Sequence, residues 1–331
     1  MSARHTTAGL SACPTVVVLA VLLLAACAAP SDTGGATPDR TEVHEEFTRR
    51  AEAVAQAWRA SGHADAWAAG FTPLEPLTVP PSGPVNEQVA LAISAGWFRT
   101  DLDLSDRTPP DGRVVFADGG SLTVPRVSAA AAWEALYGGE PDCPGGATPT
   151  PGPDGGVGTG PDDRASGGPD DPVSSPVSCT ALPVTGIELG TVTLRTSRGP
   201  AEVPAWLFRV EGLDAPVARV AVAPRAVTEV PLLDPVDAGH VDGLVGAATL
   251  VEVDGDRLVY HLGIGACDVD PAPLVYEADD LVVVGGTARP APGTTACLEM
   301  LVMEEVSVTL AEPLGARPVL STTGQVLTFG R

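Results

Sequence analysis

The side chains that could do chemistry are scattered, and none falls into a spacing that a known mechanism requires. His44-Glu45-Glu46-Phe47-Thr48 starts like the H-E-x-x-H of zinc proteases. The second histidine must sit one helical turn on to share the metal, and Thr48 stands there instead. Asp101, Asp103 and Ser105 begin like a calcium loop, yet Asp106 replaces the glycine of the turn and Gly112 the bidentate glutamate. No G-x-S-x-G elbow occurs to expose a nucleophilic serine. His240-Val241-Asp242 could orient an imidazole, with His261 the other histidine of the β-rich half, but a solvated surface histidine is the plainer reading. Glu211, Glu277, Asp279, Asp280, Glu304 and Glu305 could supply a glycosidase-type carboxylate pair. With 42 acids in the chain, choosing two carries no information. No catalytic residue and no metal ligand is assigned on these grounds. Arg198 at a hairpin tip and Trp206 on the returning strand combine residue types enriched at binding contacts, and form the candidate site for a protein or glycan partner; a core tryptophan is the competing reading.

Composition narrows the chemistry further. All 19 basic side chains are arginine, so there is no lysine amine for Schiff-base catalysis or for a Walker phosphate loop. No cofactor is expected. The formal charge is −23, which sets nucleic acid and anionic headgroups against the protein because both add repulsion. Sparse aromatics leave Val, Leu and Ala to build the core, and abundant valine favours pleated sheet.

At the N-terminus Arg4 precedes an apolar run of 11 residues, Val16 to Ala26, which ends in Leu24-Ala25-Ala26-Cys27. A run that short falls below the roughly 20 residues of a spanning helix and fits a secretory signal. The pattern resembles bacterial lipoprotein precursors. The resemblance implies a signal peptide at 1–26, lipid on Cys27, a membrane contact made by that lipid, and a place on the outer face of the cytoplasmic membrane. Ala26-Cys27-Ala28 also fits ordinary signal cleavage, which would release the protein. Cys13 leaves with the signal, so Cys143, Cys179, Cys267 and Cys297 remain, an even number that reads as two disulfides in an exported protein. Of three connectivities the sequential one is favoured, Cys143 with Cys179 and Cys267 with Cys297, because each pair brackets a Gly/Pro-containing excursion. Zinc is the alternative, and no C-x-x-C spacing supports it.

The elements that must position these residues read as an α+β fold, β dominant, with antiparallel, sandwich-like sheets and a few N-terminal helices. Residues 27–40 form a flexible tether. An α+β region follows at 41–223, and a β region at 244–331. Val43, Phe47, Ala51, Val54 and Trp58 recur at helical spacing. Val89, Leu91 and Ile93 alternate and suggest a strand within 85–97, although the alanines leave a helix open. Asp118-Gly119-Gly120 and Asp254-Gly255-Asp256 predict hairpins, and Ser128 predicts a helix cap. Strands are expected over 187–194, 203–210, 217–222, 248–253, 258–264, 274–277, 281–284, 298–310, 318–320 and 326–329. Residues 138–178 are different: 20 of 41 positions are Gly or Pro, too little apolar surface to fold alone. That stretch is expected to be an excursion tied at its base by Cys143 and Cys179, with a calcium site at Asp162, Asp163, Asp170 and Asp171 as the functional alternative.

Two stretches, the run from Thr185-Gly186 through Thr196 to Trp206 and Pro313-Leu314-Gly315-Ala316-Arg317 following Cys297, resemble segments of uncharacterised lipoproteins of actinobacteria. That resemblance implies an envelope-exposed, disulfide-bonded protein and supplies no catalytic position. The expected function is binding or scaffolding at the cell envelope. The rivals are a carboxylate-based envelope hydrolase, which needs a raised carboxylate pKa in a cleft, and a solute receptor hinged near 224–243.

Overall fold

The computed structural model describes residues 40–141, 180–236, 239–293 and 297–330. Its first element is the expected amphipathic helix, α1 (Arg40–Ser61), which buries Val43, Phe47, Ala51, Val54 and Trp58. A short α2 (Ala64–Ala69) and strand β1 (Thr78–Val79) follow. Within 85–97 the alternation is misleading, for the chain forms α3 (Glu87–Ala95). The Asn86 side chain accepts a hydrogen bond from the Val89 N–H, and Gly96 closes the helix in the left-handed region at φ 71°. Capping at both ends fixes a short alanine-bearing segment as helix where three alternating apolar residues pointed to a strand.

Strand β2 (Phe98–Arg99), the hairpin β3 (Gly112–Phe116) and β4 (Ser121–Val124), and α4 (Ala129–Leu136) complete the first part. Ser128 caps α4 as expected, its hydroxyl accepting from the Ala131 N–H at 3.2 Å. The meander is β5 (Leu182–Thr196), β6 (Gly199–Val210) and β7 (Val217–Val220). These strands make a seven-stranded sheet in which β6 is central, with β5 along one side and β7 and β3 sharing the other.

The second sheet has six strands: β8 (Leu244–Asp254), β9 (Arg257–Gly265), β10 (Asp268–Glu277), β11 (Val282–Pro290), β12 (Leu301–Thr309) and β13 (Val319–Ser321). Their order is β10-β11-β8-β9-β12, with β13 parallel to β11. The fold is α+β with strand dominant and sheets mainly antiparallel, as the sequence predicts. Residues 326–329 differ from expectation. They form only single bridges, Val326 to Leu320 and Phe329 to Leu250, because this stretch crosses from one strand to another instead of running along either.

Strand β11 shows how sequence sets the packing. Val282 and Val284 join the interior of the second sheet with Leu258, Tyr260 and Leu262. Leu281 and Val283 turn the other way, against Ala51, Val54, Trp58 and Trp67 of α1 and α2. A strand covered on both faces must be apolar at every position, hence the unbroken run Leu281 to Val284. A side chain at Gly285 would meet the Phe47 ring at 3.2 Å, so glycine admits the helix at this point. Val230, Leu233 and Val236 pack on the same cluster, so that part of 224–243 is held against the core. By its contacts α1 belongs with the second sheet, although it precedes the first in sequence.

Cys267 and Cys297 are disulfide-bonded with Cα atoms 5.9 Å apart, as sequential pairing predicts. Residues 1–39 with Cys27, and the segment with Cys143, Cys179, Asp162, Asp163, Asp170 and Asp171, lie outside the described residues.

Candidate functional site

The tip of the β5–β6 hairpin meets the second sheet in a crevice where several polar side chains converge. The Arg195 guanidinium lies over the Phe329 ring, 5.1 Å from its centroid, and donates to the Val253 carbonyl at 3.0 Å. The Arg195 backbone N–H donates to Glu75 Oε2 at 2.8 Å. The Trp67 indole donates to the Ala316 carbonyl, and Ser197 Oγ donates to the Trp67 carbonyl, both at 2.7 Å. Leu74, Leu250, Val253 and Leu327 also line the remaining void, about 50 Å³. Ligand pockets are roughly 300–1,000 Å³, so these groups spend their hydrogen bonds joining the two sheets. Beside this seam, among the described residues, Thr72 Oγ1 is a buried hydroxyl with no hydrogen-bond partner.

The structure separates the two residues proposed as a binding cluster. Arg198 sits at the hairpin turn, 3.8 Å above the Phe116 ring centroid, and contacts Asp118 Oδ2 at 2.6 Å. This pairing holds the Asp118 carboxyl below the usual carboxylate range. Trp206 lies seven residues along β6 from Gly199, roughly 23 Å away at the rise of an extended strand. Its indole donates to the Val127 carbonyl at 3.0 Å, and its ring packs with the cluster of Phe98, Phe208 and Val217. Each residue holds the fold internally, and they pack against different apolar clusters.

The carboxylates are distributed in the same manner. Glu277 accepts from the Ala311 N–H at 2.9 Å and lies 3.5 Å from Arg317. Asp280 receives two bonds from Arg59, at 2.6 and 2.8 Å, which hold its carboxyl below the usual range. Glu46, bonded by Arg49 and Arg50, is lowered to about 2. Among the described residues the displaced carboxylates, Glu46, Asp118 and Asp280, all move downward, opposite to the direction that a general acid requires. His240 Nε2 is 3.0 Å from Asp242 Oδ1, but both side chains are largely in solvent. His261 Nδ1 is 3.1 Å from Thr249 Oγ1, and Glu305 faces His261 across the β9–β12 ladder. Among the described residues no group of three His, Cys, Asp or Glu side chains converges as a metal site.

An exposed apolar stretch that belongs to no chemical motif lies at the sheet edge. Leu298, Met300, Leu301 and Met303 are 74, 55, 63 and 50 % exposed, in and just before β12. The signal was present in sequence: the run Leu298 to Val302 is apolar at both parities save Glu299, then meets the acidic pair Glu304-Glu305. A half-buried strand ordinarily sets polar residues at its outward positions, whereas here the outward Leu301 and Met303 are as apolar as the inward Val302. Comparison with protein-family models, with curated proteins and with solved structures returns no match for this chain.

Proposed function

We propose that the protein is a lipoprotein, anchored through Cys27 on the outer face of the cytoplasmic membrane, that acts by binding or scaffolding an envelope protein or glycan. The observation that carries this reading is the sequence Leu24-Ala25-Ala26-Cys27 after a short apolar run. The Cys267–Cys297 disulfide supports it, because such bonds persist in oxidising compartments. Binding is favoured over hydrolysis by where the polar groups spend their bonds. Arginine and carboxylate meet each other in clamps, and the inter-sheet crevice is too small to enclose a substrate.

Two measurements test the reading. Mass spectrometry of the N-terminal peptide from native membranes should find a diacylglyceryl adduct on Cys27, and Cys27→Ala should shift the protein to the soluble fraction. Photo-crosslinking in the native envelope should then trap a discrete protein or glycan adduct; lysine-directed reagents are useless on this chain. A correctly lipidated protein that yields no adduct in repeated experiments would move the reading to small-molecule binding or hydrolysis.

A further inference from the structure

Strand β12 closes one end of the second sheet and pairs with β9 alone. The bonds at its two ends fix which backbone groups face which way. The Ala266 N–H donates to the Met300 carbonyl, and the Leu310 N–H to the Asp256 carbonyl. In an antiparallel ladder this orientation alternates, so even-numbered residues bond to β9 and the N–H and C=O groups of Met303, Glu305 and Ser307 face away from it. Among the described residues none of those outward groups has a partner, and β10, at the other end of the sheet, approaches β12 without pairing.

Sheet edges are ordinarily blunted by proline, shortness or cover. The opposite edge follows this rule, for β10 carries Pro271 and Pro273. The first sheet also has an open stretch on β5, but there Leu189 is its only well exposed large apolar side chain and Glu188 is paired with Arg209. Strand β12 has nine residues, no proline and the exposed Leu301 and Met303, with Leu298 and Met300 just before it. Glu299, Glu304 and Glu305 stand beside them, and no ion pair reaches any of the three among the described residues.

We infer that the free edge of β12 is a docking site for an extended cationic segment of a partner protein, added as a further strand whose apolar residues alternate with arginine or lysine. The inference rests on the binding reading above and names its site and the chemistry of its partner. Backbone groups supply the pairing. On the outer face, where Leu301, Met303 and Glu305 stand together, the apolar stems of arginine or lysine meet Leu301 and Met303 and their charges meet Glu305. The partner's apolar residues fall beside the inward Val302 and Val306. The same charges select against other occupants. A second copy would set glutamate near glutamate on chains of formal charge −23, and an anionic membrane surface would be repelled.

Short labelled peptides test the site on the intact protein. A peptide alternating arginine and valine should bind, and its glutamate–valine counterpart should not. N-methylation of the pairing amides keeps charge and apolarity while removing the donors, and should weaken binding by roughly tenfold or more. Ser307→Pro should do the same from the protein side, because that N–H points outward and its loss leaves the ladder to β9 intact. Equal binding of the N-methylated peptide would overturn the proposal in favour of electrostatic adsorption. No binding of the cationic peptide would overturn it as well, and would mean that the glutamates only keep edges apart. A protein adduct in the native envelope alongside failure of the peptides would remove the edge and leave the binding reading standing. Peptide binding without an adduct would do the reverse.

Discussion

At the scale of single residues, arginine does the electrostatic work that lysine shares in other proteins. Glu46 is bonded by Arg49 and Arg50, and Arg50 reaches on to the Gly239 carbonyl, so α1 is tied to the segment after the first sheet. The carboxyl of Glu46 is lowered from 4.5 to about 2. A folded-state pKa below the unfolded one gives stability that is present above pH 4.5 and lost as pH falls towards 2. Glu46→Gln should therefore flatten the acid limb of a pH–stability curve in that window, which urea titrations at fixed pH values would show; an unchanged limb would mean that the pair contributes nothing. Thr72 gives the opposite case. Its buried hydroxyl lacks a partner, and Thr72→Val keeps the shape while removing the unmet polar group. The substitution should be neutral or stabilising by about 1 kcal/mol in chemical denaturation.

At the scale of elements, caps and two-faced burial decide what forms. Asn86→Ala removes the N-cap of α3 and should cost about 1 kcal/mol. Gly96→Ala should cost more, since its backbone is left-handed and a side chain there would lie 2.5 Å from the Gly138 nitrogen. Thermal melts of the pair would rank them. Much at this scale is legible in the sequence. The 3.6-residue spacing of α1, the Asp-Gly turns at 119 and 255 and the Ser128 cap each specify local geometry through nearest neighbours. What is not legible depends on contacts made at a distance. Three alternating residues in α3 imitate a strand until Asn86 and Gly96 are seen to cap them. Residues 326–329 carry strand-like side chains, yet the chain crosses between strands. Trp206 and Arg198 share a strand and its turn in sequence, but the rise of β6 carries them to different cores.

At the scale of the whole molecule, the first helix packs on the last sheet, so ends distant in sequence depend on one another. Trp58→Ala, in the cluster that joins α1 to β11 and β13, should cost about 3–5 kcal/mol and weaken both ends together. The Cys267–Cys297 bond closes a separation of 30 residues beside the open edge of β12. Its reduction should lower stability by at most about 3–4 kcal/mol on the loop-entropy account. Hydrogen exchange would show whether the loss begins at β12 and its partner β9. The apolar run Leu298 to Val302 is legible in the sequence, but the free edge is not, because exposure of Leu301 and Met303 depends on which strand comes last in the sheet.

The arginine clamps and the buried phenol of Tyr260 also set the range of conditions that the protein tolerates. Guanidinium keeps its charge far beyond the point at which an amine loses it, so the clamps do not weaken as the medium turns alkaline. Tyr260, which donates to the Gly285 carbonyl at 2.7 Å, is pushed up from its ordinary value of 10 by burial. A raised acid of this kind leaves stability intact below pH 10 and drains it above, because only the unfolded chain ionises freely there. Tolerance is thus lopsided: acid opens the clamps at Glu46, Asp118 and Asp280, whereas alkali leaves them closed and acts on the buried hydroxyl of Tyr260.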